Sequence, residues 1–215
     1  TKLACGIEIL VSNIPIMIKQ LYNLSLICAA LSAIIGVVLM TIFNHPEWVI
    51  TESGCLEITQ AAILVVALIF YVVALFHKGG KDEKMITLFF AVLMYAFILR
   101  EVDFDKMGLP EPLVFMLYGK GRAITLILGF AVALIGALLK FKTYIKSTLK
   151  FIFSTRGYLI AAAAAMLWIG YYFEHHSNLE ATGELLEELC ELAGYCLILT
   201  SALKTEARAR TTATK

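Results

Sequence analysis

Glutamates grouped in the C-terminal third of the chain are its clearest candidates for chemistry. In the segment 184–191 (ELLEELCE), the glutamates follow spacings of three, four and seven residues, which align them along one stripe of a helix. Glu191 lies two turns inside this segment, and an acid at that depth of an apolar helix should face the bundle interior and have a partner there. We therefore predict that Glu191 belongs to a functional site or to a buried polar network.

Two further apolar segments bring charged residues to the same predicted site. Glu57 opens the segment CLEITQAAIL, and Gln60 follows one turn later on the same helical face. Arg100 ends another apolar run, and Glu101 and Asp103 come directly after it. If each run is a helix that crosses a membrane, these charges meet at one end of the bundle.

Carboxylates from several helices, joined by one imidazole, are typical ligands of divalent metals. Carboxylates alone suit Mg²⁺ or Ca²⁺, and an added neutral imidazole suits Zn²⁺ or Mn²⁺. The sequence contains no HExxH motif and no paired Glu-x-x-His motif, which argues against zincin and ferritin-like sites. The candidate metal ligands are Glu57, Glu101, Asp103, Glu187, Glu188, Glu191 and His175.

The chemistry that such a metal would support is hydrolysis, because a bound divalent cation can activate water to attack a lipid ester or phosphoester. The candidate catalytic residues are then Glu57, Glu191 and Arg100, with Arg100 steadying the developing anion. Lys120 and Arg122, in the segment GKGR, form the predicted anion-binding spot, which would suit a phosphate head group. The alternative for Lys120 and Arg122 is that they anchor a helix at the membrane interface. The sharpest enzymatic hypothesis is a metal-dependent hydrolase of a lipid or phospholipid.

Two other functions fit the same acidic residues. Arg100 could pair with Glu57 or Glu191 and close a structural ion network. The protein would then be a non-enzymatic membrane subunit or assembly factor that docks a membrane-protein partner or a second copy of itself. A cation- or proton-coupled transporter is the third candidate, although the acids cluster near one interface rather than at the bilayer midplane. Nucleic-acid binding is not predicted, because the basic residues follow the rule that orients membrane proteins.

The elements that must position these residues are apolar helices. Hydrophobic residues make up 60% of the chain and charged residues 16%, and the mean hydropathy is +0.83. Each apolar run is near the ~17–25 residues that cross a hydrocarbon core of ~30 Å. The predicted spans are 23–44, 57–77, 85–100, 122–142, 157–173 and 185–203. We therefore predict an all-α integral membrane protein, a bundle of six transmembrane helices surrounded by membrane lipids.

The distribution of charge along the chain predicts the orientation of these helices. Thirteen of the seventeen acidic residues lie in the segments 45–57, 100–122 and 174–191, whereas fourteen of the eighteen basic residues lie outside them. Because basic loops face the cytoplasm, both termini are predicted to be cytoplasmic and the acidic face extracytoplasmic. A bacterial inner (plasma) membrane is the predicted location.

The organisation that follows has one transmembrane domain and two terminal segments. Residues 1–22 are predicted to form an interfacial amphipathic helix, 23–203 the transmembrane domain, and 204–215 a polar, disordered tail. The alternative for the first segment is a seventh span, which would break the agreement with the charge rule.

Small residues give two further predictions. Gly129 and Gly136 are seven residues apart on one face of the fourth span, which indicates close packing against another helix. Cys55 and Cys190 lie on the same predicted outer side, where they could form a disulfide or serve as small apolar packing residues.

Overall fold

The computed structural model describes Asn23 and the residues 55–77, 83–102, 104, 108–176 and 180–213. The described residues are all-helical, with 94% of them in helices and no strand. Their seven helices are α1 (Cys55–Phe76), α2 (Lys84–Glu101), α3 (Glu111–Leu117), α4 (Gly119–Leu139), α5 (Phe141–Ile152), α6 (Thr155–His176) and α7 (Glu180–Ala213).

Five long helices pack side by side in the order α4, α2, α1, α7, α6. Helix α1 therefore lies at the centre, between α2 and α7. Its inward side chains Leu64 and Tyr71 are fully buried, as are Met94 of α2 and Tyr195 and Leu203 of α7. The short helix α5 joins α4 to α6. Apolar side chains from α1, α2 and α7 pack together as the core of the bundle. The polar side chains of the candidate site belong to these same three helices.

Helix α3 turns directly into α4 at Tyr118 and Gly119. Tyr118 is extended, and Gly119 has a φ of 59°, a left-handed conformation that glycine adopts without a steric penalty. Pro110 precedes α3, where its missing N–H costs no helical hydrogen bond. With seven residues, α3 is too short to cross a membrane, and it leaves Phe115 and Met116 largely exposed.

The apolar helices are consistent with membrane association. Leu56–Phe76 and Gly119–Leu139 are each long and apolar enough to cross a membrane. A third candidate is the pair Phe141–Ile152 and Thr155–Phe173, which pass the same test together and are bent by 70° at the break between them. The described residues thus contain two or three helices that could span a bilayer, and the count of six stays a prediction.

The predicted spans 57–77, 85–100, 122–142 and 157–173 correspond to α1, α2, α4 and α6. The predicted first span 23–44, apart from Asn23, and the predicted interfacial helix 1–22 lie outside the described residues.

Helix α7 differs from its predicted span, because it continues past 203 to Ala213. At ~1.5 Å per residue its 34 residues extend over ~51 Å, well beyond a ~30 Å hydrocarbon core. The segment from 204 was expected to be disordered because it is polar, yet Thr205 and Glu206 are buried. The continuation is stabilised by ion pairs that the next subsection describes.

Glycines allow close approach at two helix contacts. A Cβ atom at Gly129 or Gly136 of α4 would press on Val92 and Met85 of α2, in agreement with the predicted packing seam. A Cβ atom at Gly194 of α7 would lie 3.2 Å from Leu167 Cγ of α6. The second contact brings the N-terminal half of α7, with its glutamates, firmly against α6.

Candidate polar site joining three helices

The start of α1, the end of α2 and the first half of α7 meet at one end of the bundle, where their polar side chains contact each other. This arrangement follows from the fold, because α2 runs back along α1 and places its last turn beside the first turns of α1. We call this group the outer cluster; its members are Glu57, Gln60, Arg100, Glu101, Glu188, Glu191 and Tyr195.

Arg100 is the cation at the centre of the outer cluster. Its Nη2 atom donates a hydrogen bond to Oε1 of Glu191, and its Nε atom lies 3.6 Å from Oε1 of Glu101. The Glu191 side chain is only 5% exposed, whereas that of Arg100 is 51% exposed. The buried Glu191 carboxylate is thus neutralised by the guanidinium of Arg100, whose side chain remains partly exposed at the surface of the bundle.

Tyr195 connects α7 to the end of α2. Its hydroxyl donates a hydrogen bond of 2.7 Å to Oε1 of Glu101. The Tyr195 side chain is fully buried, and its ring packs against Phe97 of α2 with centroids 5.8 Å apart. The Oε1 atom of Glu101 therefore accepts a hydrogen bond from Tyr195 and also faces Arg100. The Tyr195 hydrogen bond and the packing of its ring on Phe97 hold α2 against α7.

Gln60 makes the corresponding connection between α1 and α7. Its Nε2 atom donates to Oε2 of Glu188 at 2.7 Å and to the Glu188 main-chain oxygen at 3.0 Å. Gln60 is completely buried, and its Oε1 atom has no hydrogen-bond partner among the described residues. Glu57 lies close enough to interact electrostatically with Glu101 and Glu188. The predicted polar face of α1 is thus turned towards α7.

The remaining predicted metal ligands are His175, Glu187 and Asp103. His175 is exposed on the last turn of α6, where its ring lies 4.2 Å from that of Tyr171. The main chain of Glu187 packs on Gly170 of α6, and it is Glu188 that reaches α1. Asp103 lies outside the described residues. Among the residues that the structure describes, no three His, Cys, Asp or Glu side chains are grouped so that they could hold a metal ion.

The predicted anion-binding residues lie at the start of α4. Arg122 donates from Nη1 to the main-chain oxygen of Leu99 at 3.0 Å, which satisfies a carbonyl at the C-terminal end of α2. Lys120 is exposed. Arg122 therefore attaches α4 to α2. Cys190, which the sequence predicts on the same side as Cys55, is a free thiol packed against Gly170.

A second group of ion pairs lies at the opposite end of the bundle and was not anticipated from the sequence. Glu83, just before α2, binds Arg156 Nη2 of α6 and Arg208 Nη2 of α7, each at 2.9 Å. Arg156 is 5% exposed, and its guanidinium carbon lies 5.2 Å from the centre of the Phe151 ring. These contacts join α2, α6 and α7 at the end of the bundle opposite the outer cluster.

Glu206 extends this inner group along α7 towards α1. Its carboxylate is 1% exposed and accepts hydrogen bonds from Arg210 Nε at 3.0 Å and Nη2 at 2.6 Å. His77 Nε2, at the end of α1, lies 3.3 Å from the same carboxylate. The spacing of four residues between Glu206 and Arg210 is the one sequence signal that could have identified this part as helix. We call the inner group, with its residues His77, Glu83, Arg156, Glu206, Arg208 and Arg210, the inner cluster.

Comparison with known proteins finds no matching family model, no matching curated protein and no matching solved structure. The contacts of the two clusters and the surface of the described helices are therefore the basis for assigning a function.

Proposed function

We propose that this chain is a non-enzymatic membrane subunit or assembly factor whose outer cluster locks three helices into one rigid unit. The observation that supports this function most directly is the hydrogen-bonded ion pair between Arg100 and Glu191. Glu101 accepts a hydrogen bond from the Tyr195 hydroxyl, and Glu188 accepts one from the Gln60 amide. Each of these contacts joins two different helices, which is what a structural network requires.

The hydrolase hypothesis gains less support from the same geometry. A hydrolytic metal needs several ligands that converge on one point and leave a position open for water. In the described part of the outer cluster, the carboxylates of Glu191, Glu101 and Glu188 instead accept hydrogen bonds from an arginine, a tyrosine and a glutamine. These contacts would have to break before the same oxygens could bind a cation.

The transporter hypothesis is disfavoured by what lies between the two clusters. Leu64 of α1, Met94 of α2 and Leu199 of α7 separate the outer from the inner cluster along their helices, and all three are buried in one apolar core. Within the described residues, the charged groups of the two clusters therefore lie at the ends of the bundle, and the buried polar side chains between them on α1 and α7 are the hydroxyls of Tyr71, Thr200 and Ser201. A pathway for ions would need charged or strongly polar groups at the middle of the membrane.

We further propose that the protein has six spans in a bacterial inner membrane, with the outer cluster on the extracytoplasmic side. In a cysteine-free background, Glu111→Cys at the outer end and Lys146→Cys at the inner end give two exposed reporters. A membrane-impermeant maleimide should label the first in intact spheroplasts and the second only after permeabilisation. The reverse pattern would contradict the orientation.

The functional proposal itself is tested by exchanging the charges of the central pair. Arg100→Glu or Glu191→Arg alone places like charges together, so each should reduce the amount of assembled protein on native gels. The combined exchange should restore most of it, because the opposite charges face each other again. Glu184→Arg is the matched control, since Glu184 is an exposed glutamate on the same helix. If the single variants assemble normally while an enzymatic turnover is lost, the subunit function is refuted.

A further inference from the structure

An apolar cavity of about 680 Å³ lies between α2, α4, α5 and α6, at the end of the bundle that carries the inner cluster. Its walls are aromatic and aliphatic: Phe89 and Phe130 line it from α2 and α4, and Ala161 and Ala164 line it from α6. Tyr144 of α5 also lines it. The volume falls within the ~300–1,000 Å³ that is usual for sites of small ligands, and the lining suits a hydrocarbon chain.

Helix α5 has the geometry of a helix that lies on a membrane surface. It is bent by 70° from α6, so when α6 crosses a bilayer α5 runs nearly parallel to its plane. One face of α5 lines the cavity through Tyr144 and Phe151, which are buried. The next face carries the exposed aliphatic residues Ile145 and Leu149. Such a helix buries its apolar side among acyl chains and leaves its polar side at the headgroups.

The third face of α5 is a row of lysines. Lys142, Lys146 and Lys150 are spaced four residues apart and are all exposed. No acidic residue occurs in the sequence between 112 and 173, and none of the described carboxylates forms an ion pair with these lysines. At 100° per residue, the cavity face, the aliphatic face and the lysine face follow one another around α5. An amphiphile could thus reach the lysines with its charged end and the cavity with its apolar end.

We propose that α5 and the cavity behind it form a binding site for one anionic phospholipid of the adjoining leaflet. The phosphate headgroup lies on the lysine row, the glycerol region passes the aliphatic face, and one acyl chain occupies the cavity. Charge complementarity selects an anionic headgroup, and the 680 Å³ of apolar space selects a lipid over a soluble phosphate. The site rests on the membrane location of the protein and does not involve the outer cluster, so it can fail without affecting the proposed structural role.

The headgroup arm of the test compares two lipids with identical acyl chains, dioleoyl phosphatidylglycerol and dioleoyl phosphatidylcholine. Their affinities for the purified full chain in detergent are measured by native mass spectrometry. Each lysine near an anionic headgroup contributes roughly fivefold. Replacing Lys142, Lys146 and Lys150 by glutamine should therefore lower the affinity for phosphatidylglycerol on the order of 100-fold, whereas replacing them by arginine should preserve it. Lys146→Gln alone, with an expected loss of about fivefold, keeps the test open if the triple variant does not fold.

The cavity arm uses two neighbouring exposed alanines of α6. Ala164 lines the cavity and Ala165 does not. Ala164→Trp should place an indole ring in the cavity, obstruct part of it and weaken the binding of both lipids, while Ala165→Trp should leave both affinities unchanged. The proposal is overturned if the unaltered protein binds both lipids equally, if the glutamine variants retain the preference for phosphatidylglycerol, or if inorganic phosphate competes as well as the lipid does.

Discussion

Removal of the Arg100 guanidinium should destabilise the protein more than removal of the Glu191 charge, although Glu191 is the more deeply buried partner. Arg100→Met leaves a carboxylate that is 5% exposed without its cation, whereas Glu191→Gln leaves an arginine that is 51% exposed and free to turn to solvent or lipid headgroups. Breaking a fully buried pair costs ~3–5 kcal/mol, and a hydrogen bond to a charged group contributes ~1.5–3 kcal/mol. Because solvent screens the exposed side of Arg100, we expect a loss of about 2 kcal/mol for Arg100→Met and about 1 kcal/mol for Glu191→Gln.

The assay is equilibrium unfolding in mixed micelles of a mild detergent and dodecyl sulfate, followed by the helical circular dichroism signal. The double variant should show that the two effects are not additive, with a coupling free energy of about 1 kcal/mol. Glu184→Gln, which changes an exposed glutamate of the same helix, should stay within about 0.5 kcal/mol of the unaltered protein. The reasoning is refuted if the coupling is below about 0.3 kcal/mol, or if Glu191→Gln proves more damaging than Arg100→Met.

Three further predictions concern contacts between other pairs of helices and can be checked by the same unfolding measurement. Tyr195→Phe removes only the hydroxyl that binds Glu101, so it should cost about 1–2 kcal/mol; no measurable loss would mean that this hydrogen bond is not formed. Gln60→Glu places a second carboxylate where the amide now lies 2.7 Å from Glu188, so it should be more destabilising than the neutral Gln60→Met, and the opposite order would contradict the contact. Gly194→Leu should separate α6 from α7 and cost about 1–3 kcal/mol, and a fully stable variant would show that the two helices are further apart than described.

The positions of the long helices could be read from the sequence because apolar runs of membrane length have few alternative structures. The predicted spans 57–77 and 85–100 differ from α1 and α2 by at most two residues at any end. The pairing of Arg100 with a carboxylate was also foreseeable, since four charges follow one apolar run where the helix stops. The sequence could not decide between Glu57 and Glu191 as the partner. That choice depends on how far each helix is rotated about its axis, which is set by packing and not by local sequence.

Neither the inner cluster nor the surroundings of His175 on α6 could be predicted from the sequence. Hydropathy identified 204–215 as a polar tail, because a hydropathy average includes no contacts between side chains. Glu206 can be buried since Arg210 and His77 contact its carboxylate. His175 was grouped with the glutamates because it follows an apolar run. Its ring instead lies beside Tyr171, its neighbour one helical turn away. In both cases a contact within or between helices determined where the side chain lies, and the average polarity of the segment did not predict it.

An experimental density map of the outer cluster, from protein purified without chelators, tests the central claim most directly. We expect continuous density between the Arg100 guanidinium and the Glu191 carboxylate, and between the Tyr195 hydroxyl and Glu101. A strong isolated peak coordinated by three or more of these carboxylates, with Arg100 turned away, would contradict the structural network and restore the metal site.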